Sequence, residues 1–241
     1  MADRGSLWPL SAAEEKRRVA AFFDVDGTLL RVQSGTLYIG YLRRRGLMDL
    51  SDLLRIYWAY VTYRLGMLNI RSLASVTSRW LAGRLEAEVA DHCRDWYETE
   101  VRHYFRPHVV EKVREHQQAG HVVALLTGGT RYLNDLIAAE LGIEHVVASE
   151  LEVVDGRFTG RAITPLCYGE GKLVHALRFA EEQGLRLEDS YFYTDSITDL
   201  PVLERVAHPC PVAPDPRLRI EARQRGWPVI EGSPRAGRRA A

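Results

Sequence analysis

Three short apolar runs, Val19–Val25, His121–Thr127 and Ser190–Ser196, each close on residues that carry chemistry rather than on simple turn residues. The first reads "AFFDVDGTLL", with Asp24 and Asp26 one residue apart and Gly27-Thr28 at once behind them. The second ends in Thr127-Gly128-Gly129, and the third brings Asp195, with Asp199 four residues on. Helical stretches precede the later two: "RPHVVEKVREHQQAG", with proline near its start and Gly120 at its end, and "GKLVHALRFAEEQG", closed by Gly184. Apolar runs of this length alternating with helices predict a doubly wound, mostly parallel α/β sheet. Weaker strands are expected at His145–Ser149 and Trp227–Gly232. "ELEVVDGRFTGRAI" reads as a β-hairpin turning at Asp155-Gly156.

One segment does not belong to such a sheet. From Ser34 to Arg106, about 70 residues between the first and second strands, the pattern is helical throughout, far beyond the 2–6 residues of an ordinary βα connection. We therefore expect an α/β core over 18–33 and 107–232 and an inserted all-α cap over 34–106. Residues 1–17 read as a loosely ordered leader without the apolar stretch of a signal peptide, and 233–241 as a basic tail.

The formal net charge of the 241 residues is zero, which removes any global electrostatic case for nucleic acid. Three cysteines, Cys93, Cys167 and Cys210, form no CxxC pair; this argues against a disulfide framework and structural zinc and suits a reducing, cytoplasmic setting. The eight histidines show no HExxH or clustered spacing and read as surface or core residues. No run of about 18 apolar residues suggests a membrane span. "GEGKL" mimics part of a P-loop, but the first glycine is missing and Leu173 replaces the required Ser/Thr.

Ligands of open α/β sheets bind beyond the carboxyl ends of the strands, so the three polar strand ends should converge. Asp24, Asp26 and Asp195 together would repel one another, which implies a hard divalent cation with oxygen ligands, Mg²⁺ first among them. The cation and Lys172, at the start of the helix before the third strand, would supply positive charge for a phosphoryl group. Thr127 and the amides of Gly128 and Gly129 could hydrogen-bond its oxygens. Asp24 could then act as nucleophile on phosphorus, and Asp26 as the acid and base on either side of an aspartyl-phosphate.

"DVDGTLL", "LLTGG", the isolated Lys172 and "YTDSITDLPVLE" resemble, in order, the four motifs of the haloacid dehalogenase superfamily of phosphatases. The helical insertion is similar to the cap of the phosphoserine phosphatase branch. The resemblance implies a Rossmann-like core, with Asp24 as nucleophile and metal ligand and Asp26 as acid/base and metal ligand through its backbone carbonyl. It also implies Thr127 and Lys172 on phosphate, Asp195 on metal and Asp199 as an orienting residue. A small phosphorylated substrate is expected.

That branch carries a glutamate nine residues after the nucleophile, where this chain has Gln33, and tends to have asparagine where Thr198 stands. Losing a charge-assisted bond to the serine ammonium removes about 1.5–3 kcal/mol, which argues against phosphoserine. The front of the cap, from Tyr41 to Arg84, holds eight arginines against Asp49 and Asp52, with Tyr57, Trp58, Tyr60 and Tyr63 at helical spacing. Two readings stand: a cap helix burying its apolar face among solvated arginines, or a surface that docks on anionic lipid or admits a phospholipid headgroup, which the resemblance to phosphatidylglycerophosphate phosphatases with a similar cap implies. Phosphotransfer to a second alcohol is the rival reaction. A non-catalytic binding module predicts loss of an acidic motif residue, and none is lost.

Overall fold

The structure is a computed structural model that describes residues 19–64, 67 and 69–232; the expected leader and basic tail lie outside the described residues. After β1 (Ala20–Phe23) come four helices, α1 (Ser34–Arg44), α2 (Leu50–Arg64), α3 (Ile70–Trp80) and α4 (Glu86–Thr99), and a 3-10 turn at Val101–Tyr104. The chain then runs through α5 (Pro107–Gln118), β2 (Val122–Thr130), α6 (Arg131–Leu141) and β3 (His145–Ser149). The hairpin β4 (Leu151–Val154) and β5 (Arg157–Ala162) follows, then α7 (Glu170–Glu182), β6 (Tyr191–Thr194), α8 (Leu200–Leu203), β7 (His208–Pro211) and α9 (Pro216–Arg225).

The main sheet has the order β3-β2-β1-β6-β7, and every neighbouring pair is parallel. Alternation along the buried strands sorts their side chains into two layers. Ala21, Phe23, Leu125 and Tyr193 pack with Val109 and Val113 of α5 and Leu133 and Ile137 of α6. Ala20, Phe22, Ala124, Leu126 and Phe192 pack with Ala176 and Phe179 of α7, Val202 of α8 and Leu218 of α9. Each fully buried Phe of β1 contributes about 1.5–3 kcal/mol by leaving water. This is the doubly wound α/β core with a helical insertion expected from the alternating pattern.

Three expectations change. The strand expected at Trp227–Gly232 shrinks to a single bridge between Val212 and Ile230: Trp227 turns back to donate its N–H to the Ala222 carbonyl, and Pro228 has no N–H for a ladder. The fifth strand is instead "HPCP", β7, hidden in the sequence by two prolines that only a sheet edge tolerates. Finally, β2 continues past Thr127 to Thr130, with a register shift against β3 between those two residues. Gly128 and Gly129 thus form an irregularity inside the strand end rather than a loop after it.

Asp155 (φ 50°) and Gly156 (φ 72°) make the expected hairpin turn, both with left-handed backbone. The hairpin is also the seat of the insertion. Gly83 donates to the Phe158 carbonyl, Phe158 to that of Arg84 and Glu86 to that of Gly156, while Ser78 Oγ donates to the Gly160 carbonyl at 3.0 Å.

Candidate active site

Sheet register brings the three motif ends together. Phe23 pairs with Leu125 on one side and Tyr193 on the other, so Asp24, Thr127 and Thr194-Asp195 emerge side by side at the carboxyl edge. The Asp24 N–H donates to the Tyr193 carbonyl at 2.9 Å, carrying the ladder one residue past β1. Gly27 then turns with φ +77°, and an added Cβ there would lie 2.0 Å from Asp195 Oδ2. Only glycine lets the Asp195 carboxylate close against the loop that holds Asp24 and Asp26.

Lys172, in the first turn of α7, is 3% exposed. Its Nζ donates to Asp24 Oδ1 at 3.0 Å and to Asp199 Oδ2 at 2.7 Å, and Thr194 Oγ1 donates to the same Asp199 oxygen at 2.6 Å. The helix can begin this close because residue 171 is glycine: a Cβ there would lie 2.0 Å from the Leu166 carbonyl oxygen. The "GEGK" fragment is therefore a packing device that delivers an ammonium, and Lys172 is not on a solvated face.

Asp26 is held differently from Asp24. Its carboxylate accepts from the Ser34 N–H at 2.8 Å and the Ser34 hydroxyl at 2.9 Å, at the first residue of α1. The acidic loop and the helical insertion are thus tied by two hydrogen bonds. Gln33 takes the N-cap position of α1 without capping it, and remains exposed beside Ser34. Thr127 is buried and accepts from the Gly129 N–H at 3.2 Å; Gly128 faces the Cys167 carbonyl and the Tyr168 ring. Thr198 Oγ1 lies 2.9 Å from Ser196 Oγ.

The electrostatics are those of a carboxylate cluster short of positive charge. Burial pushes the Asp24 carboxyl up to about 8; Lys172 opposes the shift, while Asp199 and Asp195 reinforce it. Asp195 is pushed up to about 7 by burial and by Asp199. Asp26 is raised by burial, against its two bonds from Ser34. Burial alone would lower Lys172, but Asp199 and Asp24 outweigh it and hold the amine charged.

Whether a divalent cation fits is decided by the donors present. Among the described residues no three His, Cys, Asp or Glu side chains gather as a metal cluster, and the Asp26 carboxylate is engaged by Ser34. Two carboxylates, Asp24 and Asp195, remain as hard oxygen donors; with the Asp26 backbone carbonyl that the resemblance implies, they make a set suited to Mg²⁺ completed by water. The excess of buried negative charge over the single lysine is the observation in favour of that fit.

Three contributors, Ser34, Asp215 and Arg106, lie outside the motifs, and a fourth, Thr194, lies inside "YTDSITDLPVLE" but had no role assigned from sequence. Ser34 and Thr194 hold motif carboxylates. Asp215 caps α9, accepts from the Ile197 N–H at 2.8 Å and donates its own N–H to the Asp195 carbonyl at 2.8 Å. Arg106 Nε donates to the Gly27 carbonyl at 3.3 Å. Only Asp215, in the N-cap signature "DP", had a local signal, and that signal speaks of a helix start.

Residues 21–204 match the haloacid dehalogenase-like hydrolases, and the chain belongs to that family. It is 33% identical over 232 residues to phosphoserine phosphatase SerB1 of Mycobacterium tuberculosis (strain ATCC 25618 / H37Rv), spanning 92% of this chain and 75% of that protein. It is 31% identical over 219 residues to the histidinol-phosphatase of Neisseria meningitidis serogroup C (strain 8013), spanning 87% and 97%. The crystal structure of a Bordetella pertussis Tohama I protein of unknown function superposes with a TM-score of 0.83 at 33% identity, over 89% of this chain and 98% of that one.

Proposed function

We propose that this hydrolase, a phosphatase, cleaves a small phosphomonoester through an aspartyl-phosphate on Asp24, with Mg²⁺ as its cofactor. The observation that carries the reading is the buried Lys172 ammonium clamped between Asp24 and Asp199, with Asp195 packed against Gly27. An ammonium held there offsets the repulsion between a carboxylate nucleophile and a phosphoryl dianion. Asp24 attacks phosphorus as the ester P–O bond breaks, and Asp26, whose carboxyl burial shifts toward the protonated form, gives a proton to the leaving alkoxide. Asp26 then takes a proton from water as that water displaces the phosphoryl group, returning Asp24 to a carboxylate and releasing inorganic phosphate. Thr127 and the amides of Gly128 and Gly129 bind the phosphoryl oxygens. Asp24, Asp195 and the Asp26 carbonyl would hold the cation, which would supply further positive charge against the phosphoryl dianion.

The insertion supplies substrate selection, with Gln33 at its entrance. Phosphoserine phosphatase and histidinol-phosphatase, names carried by similar proteins, both act on phosphate esters of amino alcohols. Gln33 offers an amide, not a carboxylate, to such an amine. We therefore expect phosphoserine to be a poor substrate of this chain. Phosphate release from a panel of phosphorylated metabolites, including phosphoserine and histidinol phosphate, with Mg²⁺ and with EDTA, tests the reading. Asp24→Asn is expected to abolish turnover of every ester while leaving the circular dichroism spectrum unchanged; residual turnover would remove Asp24 as nucleophile.

A further inference from the structure

A helix packed on one side of a soluble protein ordinarily keeps its other side polar. α2 does not. Its inner side buries Ile56 and Ala59, with Leu53 packed against the core. On the opposite side Leu50, Leu54, Tyr57 and Trp58 follow at i, i+4, i+7 and i+8, and they are 64%, 58%, 60% and 66% exposed. Tyr60 is exposed as well, and Met67, just beyond the helix, is 66% exposed. This apolar, aromatic strip lies on the helical insertion, and none of the hydrogen bonds that hold Asp24, Asp26, Lys172 and Asp199 comes from it.

The charge around the strip says what covers it. From Tyr41 to Arg84 the chain carries a surplus of six positive charges, in a protein whose formal net charge is zero. Arg44 and Arg45 are paired with Glu100 and Asp95. Among the described residues Arg43, Arg71 and Arg79 have no carboxylate partner, and Arg55 has only a 3.3 Å contact with Asp52. On α3, which packs beside α2, an open groove of about 390 Å³ is lined by Asn69, Arg71, Ser72, Ser75, Val76 and Arg79. Two guanidinium groups and two hydroxyls suit an anionic headgroup. A second copy of the chain pressing the same strip would bring arginine against arginine, which disfavours self-association. Aromatic side chains with an apolar body and a polar tip, ringed by arginine, are the composition of a helix lying in a membrane interface.

We propose that the outer faces of α2 and α3 are a docking surface for anionic lipid bilayers, with the outer strip of α2 entering the headgroup region and Arg43, Arg55, Arg71 and Arg79 meeting lipid phosphates. The proposal is independent of which ester the active site hydrolyses.

The test is co-sedimentation of the full chain with phosphatidylcholine vesicles, with and without phosphatidylglycerol, at low and high salt. The expected result is recovery with the phosphatidylglycerol vesicles, loss at high salt, and little recovery with phosphatidylcholine alone. Leu54→Ser with Trp58→Ser, and separately Arg71→Glu with Arg79→Glu, should each weaken anionic vesicle binding by at least about ten-fold. Both double variants should keep their hydrolysis of a soluble ester, which shows that they fold. Equal recovery on both vesicle types, no recovery on either, or variants that bind like the parent chain would overturn the proposal. So would a dimer in sedimentation velocity that dissolves when Leu54 and Trp58 are replaced, since it would assign the strip to a second copy.

Discussion

At Lys172 two electrostatic demands meet. A buried ammonium is costly alone, and so are two buried carboxylates; Lys172, bonded to both Asp24 and Asp199, offsets part of the burial cost on each side. Lys172→Met leaves the shape nearly intact but two carboxylates without their cation. We expect a loss of about 3–5 kcal/mol in urea unfolding, together with loss of turnover. A second buried group sits away from the site. His116 Nδ1 meets His121 Nδ1 at 2.7 Å and His116 Nε2 meets the Tyr193 hydroxyl at 2.9 Å, so the ring pair shares too few acceptors for two imidazolium ions. Burial, with His121 beside it, lowers His116 to about 4. The unfolded chain, with an ordinary histidine near 6.5, therefore binds the proton more tightly. Stability from this group is present above pH 6.5 and drains away as the pH falls toward 4, by at most about 3 kcal/mol. Urea midpoints at pH 7 and pH 5 should differ more for the parent chain than for His116→Asn.

At the scale of elements, the junction between the β4–β5 hairpin and the insertion is the point most open to test. Gly160 has φ +82°, and a Cβ there would lie 2.9 Å from Ala82 Cβ and 3.3 Å from Arg79 Cα. Gly160→Val forces β5 away from the end of α3, at a cost of about 1–3 kcal/mol for the backbone alone. Hydrogen exchange is expected to rise at Gly83, Glu86 and Phe158, whose N–H groups bridge the two elements, while β1 and β2 stay protected. Local chemistry announced the hairpin itself through Asp155-Gly156. Its role as a seat for the insertion had no sequence signal, because Gly160 and Ser78 meet only after the two segments fold against each other. The same holds for β7: two prolines disguise it, and only its place at the sheet edge makes them tolerable.

For the whole molecule, the carboxylate cluster links metal binding to folding. Burial and the neighbouring carboxylates raise Asp24 to about 8 and Asp195 to about 7, so without a cation the folded state binds more protons than the unfolded chain. That stability is fully present below the ordinary carboxylate range near 3.8 and is lost as the pH rises through 7 and 8. A cation held by ionised carboxylates reverses the loss. Mg²⁺ should therefore raise the calorimetric melting temperature more at pH 8 than at pH 6, and EDTA should abolish the difference. A melting temperature that ignores Mg²⁺ at both pH values would remove Asp24 and Asp195 as its ligands.

The alternating apolar runs and helices determined a doubly wound sheet, and the length and pattern of 34–106 determined a helical insertion, because periodicity and loop length are local properties of a chain. Asp24, Asp26, Thr127, Lys172, Asp195 and Asp199 could be picked out for the same reason: each stands at a strand end or a helix start. What only the tertiary structure decided is how they are held. Lys172 is buried rather than solvated, Ser34 engages the Asp26 carboxylate, and Gly27 and Gly171 are required by atoms of Asp195 and Leu166 far away in sequence. It also decided that α2 turns a second apolar side to solvent, since an apolar residue in sequence does not say which of its neighbours will cover it.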